Sequence, residues 1–309
     1  MKTKLIFLLC CGLLWACGDA QKRDLVKNAP TISVKYTDAT GREVVLQQAP
    51  RKIISLAPNI TEMIFAVGAE EKLAAVSQAC NFPPETFELP RVTTYPEVDR
   101  EQLKSFGADM LITTDEIFGP QQISLIEEVG LPVYLQSYDS LASVYRSLRT
   151  LGEILGQPEK GQQVADSLQE LERRIVAKTS GEVKYNCLVL ISSDPLKVVG
   201  GEGFLHELIQ KAGGKNVFAG KEEAYPTVTV EEILAAEPEY LLLPSTDDQV
   251  YADLISLYPT LTNTPADRLR QVFILDPDLL YRPGPRMLQG LLEMTVSLHS
   301  ALNSSQFFE

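Results

Sequence analysis

Residues 159–178 read EKGQQVADSLQELERRIVAK, and this run holds no turn signal. Val164, Leu168, Leu171 and Ile175 recur at helical spacing, with charged side chains on the other faces. The spacing predicts one helix of about twenty residues, roughly 30 Å long at 1.5 Å per residue. Gly156 and Pro158 separate it from the helix before it. What lies on its two sides decides the fold.

Upstream, ISVKYTDATGREVVL (residues 32–46) alternates about Ala39-Thr40-Gly41, which predicts a hairpin. In the following KIISLAPNITEMIFAVGA, Ile53, Ile54 and Leu56 read as a buried strand. Asn59 reads as the N-cap and Glu62 as the third residue of a helix that Gly68 ends. Then come LAAVS, a loop NFPPETFELP, a helix near DREQLKSF, strand DMLIT, a helix near QQISLIEEVG and strand PVYLQ. Downstream, NCLVLISS, FLHELIQKAG, EEILAAE, EYLLLPS and QVFILD resume the alternation, and a helix from about Pro285 to Leu302 closes the chain. Strands alternating with helices predict parallel sheets.

The two sides also overlay at a constant offset. Asp99, Glu101, Leu103, Asp109, Leu111 and Ile112 answer Thr229, Glu231, Ile233, Glu239, Leu241 and Leu242. The expected fold is therefore α/β: two Rossmann-like lobes with parallel sheets (residues 31–157 and 181–309) joined by one long rigid helix (residues 158–180). Ligands of open α/β sheets sit at the carboxyl ends of the strands, so facing lobes would form a cleft. A stiff rod would keep hinge closure small.

The first residues read as a targeting segment. Lys2 and Lys4 precede the short apolar stretch LIFLLCCGLLWAC. Leu14-Trp15-Ala16-Cys17-Gly18 resembles a bacterial lipoprotein cleavage site, with residues 1–16 as signal peptide and Cys17 as the acylated first residue. Residues 18–30 are polar and read as a tether beyond that cysteine. Cleavage removes two lysines, so the mature charge becomes 26 − 41 = −15. That balance argues against nucleic-acid binding. Cys80 and Cys187 fall in different lobes, which argues against a disulfide between them.

The chain has no P-loop, no GxSxG elbow and no dinucleotide GxGxxG. The GGEG at 200–203 fits turn geometry. His206 and His299 sit in helical runs and read as satisfied helix residues rather than metal ligands. Neither catalysis, a resident cofactor nor a metal is specified. What remains is a set of loop residues: Phe82 in NFPPE, Tyr95 in TTYPEVD, Tyr225 in AYPTV, and Asp278, Arg282 and Arg286 in DLLYRPGPR. Flat rings on proline-stiffened loops suit a large, flat, partly apolar ligand. Two guanidiniums on so stiff a loop suit hydrogen-bond acceptors or negative charge.

RKIISLAPNITEMIFAVGAEEKLAAVS, NFPPE, YPTVTVEEILAAEPEYLLL and RPGPR resemble the substrate-binding proteins of bacterial ABC importers for vitamin B12, iron–siderophore complexes and haem, and most nearly the B12 branch. The resemblance runs from about residue 31 to 303. It implies a non-enzymatic, exported, lipid-anchored protein, on the periplasmic side or the cell surface and monomeric when free. Its implied ligand is a corrinoid, cobalamin or cobinamide, with haem or a ferric siderophore as the alternative. Phe82, Tyr95, Tyr225, Asp278, Arg282 and Arg286 match the ligand-binding positions, Arg282 ahead of Arg286. Two aromatics that are tryptophans in the family pattern are tyrosines here. Glu101 and Glu231 match the pair that docks on arginine pockets of the permease, which works with ATPase subunits. A plainer account of both is the helix dipole, which favours acids in a first turn. Thr229 with Glu232 also predicts a capping box that leaves Glu231 unused.

Overall fold

The computed structural model describes residues 33–94, 97–115 and 117–307. The signal peptide, Cys17, the tether and Tyr95 lie outside the described residues. Strands β1 (Val34–Thr37) and β2 (Glu43–Leu46) form the expected antiparallel hairpin.

The first lobe carries β3 (Ile53–Ser55), α1 (Pro58–Ala66), β4 (Leu73–Ser77), β5 (Arg91–Val92), α2 (Arg100–Ser105), β6 (Met110–Thr114), α3 (Pro120–Glu127), β7 (Val133–Gln136) and α4 (Leu141–Leu155). Its five-stranded sheet has the order β5-β4-β3-β6-β7 and is parallel throughout. Helix α5 (Pro158–Thr179) is the predicted rod. Beyond it come β8 (Asn186–Ser193), β9 (Leu196–Val198), α6 (Phe204–Lys211), β10 (Lys215–Asn216), α7 (Val230–Ala236), β11 (Tyr240–Pro244), α8 (Val250–Leu257), α9 (Pro265–Arg268), β12 (Val272–Leu275), α10 (Pro277–Leu280) and α11 (Met287–Leu298). Here β10-β8-β11-β12 run parallel, and β9 folds back antiparallel on β8. The last helix is shorter than predicted at both ends, starting after Arg286 and stopping before His299. Among the described residues no helix is long and apolar enough to cross a membrane.

Side chains alternate across a strand, and that alternation sorts the core. Ile53, Met110, Ile112, Cys187, Val189, Tyr240 and Leu242 point to one side of their sheets and join a single apolar cluster with α4, α5, α6 and α11. Ile54 and Leu111 point to a second cluster in the first lobe, and Leu188, Leu190, Leu241 and Leu243 to a third in the other. One face of the rod thus packs on a core that both lobes share. Its approach to α4 is close: a Cβ on Gly161 would stand 2.6 Å from the Leu148 carbonyl oxygen. Glycine is what lets these two helix backbones meet.

One local expectation fails. Asn59 is not the N-cap of α1, and Glu62 does not close a capping box. Pro58 takes the first helical position, where its missing N–H is no loss, and Ala57 becomes the cap with extended backbone, φ −127° and ψ 134°. Asn59 and Glu62 therefore lie deeper in the helix, and both are buried. Their side chains serve another purpose.

Candidate functional site

Three segments that leave the carboxyl ends of strands, the last including the short helix α10, supply the candidate residues. Residues 78–83 follow β4, residues 217–229 follow β10 and residues 276–286 follow β12. The first loop is braced by Arg91, which donates to the carbonyls of Ser77 (3.0 Å), Thr86 (2.8 Å) and Cys80. It holds Phe82 39% exposed. The second carries Tyr225, 46% exposed, and is drawn tightly against the GGEG turn. A Cβ on Gly200 would fall 1.9 Å from the Glu223 carbonyl oxygen, so only glycine fits there. The third begins with Asp276, whose side chain accepts from the Asp278 amide and caps α10.

YRPGPR (residues 281–286) crosses to the first lobe. Asn59 Nδ2 donates to the Pro283 carbonyl at 3.2 Å. Arg286 forms a bidentate pair with Glu62, Nε to Oε2 at 2.9 Å and Nη2 to Oε1 at 2.7 Å. Its guanidinium also lies over the Phe82 ring, 4.0 Å from the centroid, a cation–π arrangement. Arg282 pairs with Asp278 at 2.8 Å, donates to Asn81 Oδ1 at 2.5 Å and stands 3.5 Å from Glu62. The hydrogen bonds to Glu62 hold the Arg286 charge above its ordinary range. Burial, with Tyr225 nearby, pushes the Tyr281 hydroxyl up to about 12.

The structure therefore brings Phe82, Asp278, Arg282 and Arg286 together, with Tyr225 close to Tyr281. It also supplies partners the sequence reading had missed: Asn59, Glu62 and Asn81. A signal for Glu62 was present. A carboxylate flanked by Ile60, Met63 and Ile64 in an apolar helix must find a cation, because an unpaired buried charge is too unfavourable. Its cation lies 224 residues away, beyond the reach of local patterns.

Glu101 and Glu231 stand apart from this cluster, each exposed in the first turn of its helix. Thr229 and Glu232 make the predicted capping box, and Glu232 also pairs with Lys221 at 2.6 Å. Glu231 takes no part in that box. Both histidines have partners: His206 faces Gln210 and Asn216, and His299 faces the Ala212 carbonyl at 3.0 Å. Among the described residues no group of His, Cys, Asp and Glu could hold a metal ion. Cys80 and Cys187 are free and buried, and burial pushes the Cys187 thiol up to about 12.

A family model described as periplasmic binding protein matches residues 53–279. A vitamin B12-binding protein of Vibrio parahaemolyticus is 28% identical over 246 residues, spanning 79% of this chain and 87% of that protein. An uncharacterized ABC transporter substrate-binding lipoprotein of Bacillus subtilis is 26% identical over 302 residues, spanning 94% of this chain and 95% of that one. Among solved structures, the apo form of the periplasmic heme-binding protein RhuT from Roseiflexus sp. RS-1 superposes with a TM-score of 0.73 at 26% identity, covering 81% of this chain and 98% of that one.

Proposed function

Since this chain belongs to the periplasmic binding protein family, we propose that it captures a corrinoid, cobalamin or cobinamide, between its lobes and delivers it to the permease of an ABC importer. One observation carries the reading. The Phe82 ring and Asn81 of the first lobe meet the Arg286 and Arg282 guanidiniums of the second where loops leave the carboxyl ends of the strands. The B12-binding relative supports the ligand class. Phe82, Tyr95 and Tyr225 supply flat surface, and Arg282 and Arg286 donate to acceptors on the ligand rim, with Asp278 orienting Arg282. Calorimetric titration of the tag-free protein with cyanocobalamin, cobinamide, haemin and a ferric siderophore is the test. Saturable one-to-one corrinoid binding is expected; binding of haemin alone overturns the reading. Haem-binding solved structures of equal similarity favour the haem alternative, and Tyr95 or Tyr225 would be the axial ligand.

The remaining roles follow from the same reading. The lobes divide at the ends of the rod, near residues 157 and 181. Glu101 and Glu231 present one exposed carboxylate per lobe to basic pockets of the permease. Replacing both by alanine leaves ligand binding intact and abolishes reconstituted uptake; normal uptake removes the docking role. Cys17 carries the lipid, as the Bacillus lipoprotein relative supports. Metabolic palmitate labelling that survives Cys17→Ser would refute that anchor.

A further inference from the structure

The arginine pair is not an uncompensated positive site. Arg282 and Arg286 face Glu62 and Asp278, and Asp276 also acts on Arg286, so the acids at least offset the two cations. Glu62 comes from the opposite lobe, and its side chain is only 2% exposed. It engages Arg286 through both oxygens and also stands beside Arg282. Yet a guanidinium carries more N–H donors than these contacts use. What the loop offers a ligand is directional hydrogen-bond donors without net positive charge.

That arrangement treats two kinds of ligand differently. A carboxylate arriving here reaches the same unused donors, but it brings a further negative charge beside Glu62 and Asp278 in a partly desolvated spot, where like charges repel more strongly than in water. A neutral carbonyl oxygen takes the unused donors and displaces nothing.

We propose that Glu62, together with Asp278, sets the charge of the ligand, so that the site selects a neutral, carbonyl-rich rim over a rim of carboxylates. This rests on the reading of the YRPGPR loop as the ligand site. A corrin ring bearing amides satisfies the rule, and a porphyrin bearing two propionates violates it.

Matched pairs isolate the charge from the ring. Cobinamide and cobyrinic acid share a corrin and differ in amides against carboxylates; haemin dimethyl ester and haemin do the same for a porphyrin. The wild-type protein is expected to bind the neutral member of a pair about tenfold more tightly or better, the order expected when one charge is left badly matched. Glu62→Gln keeps the shape and removes one negative charge, and should cut that preference about tenfold. Asp278→Asn, at the more exposed carboxylate, should move it the same way and serves if Glu62→Gln does not fold by circular dichroism. Wild-type protein without a preference, or a preference that neither variant alters, overturns the inference. Binding of the porphyrin pair but no corrinoid would defeat the corrinoid reading while still measuring the charge rule. Binding of neither pair defeats both.

Discussion

Two polar seams join the lobes, and they are built differently. At the rod, Tyr145 of α4 donates to Glu172 of α5 at 2.7 Å. Lys211 of α6 bridges Glu172 at 2.6 Å and Glu207 at 3.3 Å. Glu207 in turn accepts from the Leu141 amide, 2.7 Å away at the start of α4. These helices share one apolar cluster, which holds the charged groups in place while leaving them partly open to water. Burial works against the Lys211 charge, but its bonds to Glu172 and Glu207 outweigh that and hold the ammonium above its usual range. At the YRPGPR loop, by contrast, two guanidiniums meet one buried carboxylate across the lobes, and among the described residues their contacts leave N–H donors over. On the proposed function, the difference separates the seam that holds the architecture from the one that also meets a guest. Rigid-body opening at the loop seam would uncover Glu62 and both arginines together, whereas the rod seam must stay closed for the shared core to survive.

The hardest way to break this contrast is Glu62→Ala. It leaves the buried Arg286 charge without its carboxylate, and removing one partner of a buried pair destabilises by roughly 3 kcal/mol or more. Urea unfolding measures the loss. A change below about 1 kcal/mol would mean that the pair behaves as a surface salt bridge. Lys211→Met at the rod seam is expected to be milder, about 1–2 kcal/mol, because water still reaches Glu172 and Glu207 in part.

Alkaline pH then separates the seams. The folded pKa of Lys211 is raised, so its contribution is complete below the unfolded lysine value of about 10.4 and fades as pH rises through the higher folded value. The stability gap between wild type and Lys211→Met should hold to about pH 10 and then close. The gap for Glu62→Ala should persist past that point, because arginine keeps its proton. Parallel closure of both gaps would erase the distinction.

Much of the frame was legible in the sequence because its signals are local. The rod was predicted over residues 159–178 and spans Pro158–Thr179. The offset of 130 holds for whole elements: β6 and β11 cover Met110–Thr114 and Tyr240–Pro244, and α2 and α7 start at Arg100 and Val230. It extends to a detail. Asp109 accepts from the Arg51 and Lys52 amides, and Glu239 accepts from the Asn186 amide, each tying one strand to the start of its neighbour. The loop residues of the candidate site were legible as types, since proline beside an aromatic or an arginine marks a stiff presenting loop. Their partners were not. Glu62 was read as the third helical residue after an Asn59 cap, although Pro58 already claimed the first helical position. Pairing across 224 residues is settled by how the lobes pack, and no local period records it.

The smallest stability effect should come from Arg282→Ala, and that makes it the sharpest probe of the loop seam. Arg282 contacts Glu62 only at 3.5 Å, while Arg286 keeps its bidentate hold on the same carboxylate. Asp278, the closest acid to Arg282, is 35% exposed and regains water when the guanidinium goes. Loss of stability should therefore stay under about 1 kcal/mol, as for exposed pairs. Ligand affinity should fall about tenfold or more, because a directional donor on a proline-stiffened loop is lost without compensation. Calorimetry and thermal unfolding on one preparation measure both quantities. If instead stability falls further than in Lys211→Met while affinity holds, Arg282 braces the lobes in the way Lys211 does, and the two seams are of one kind.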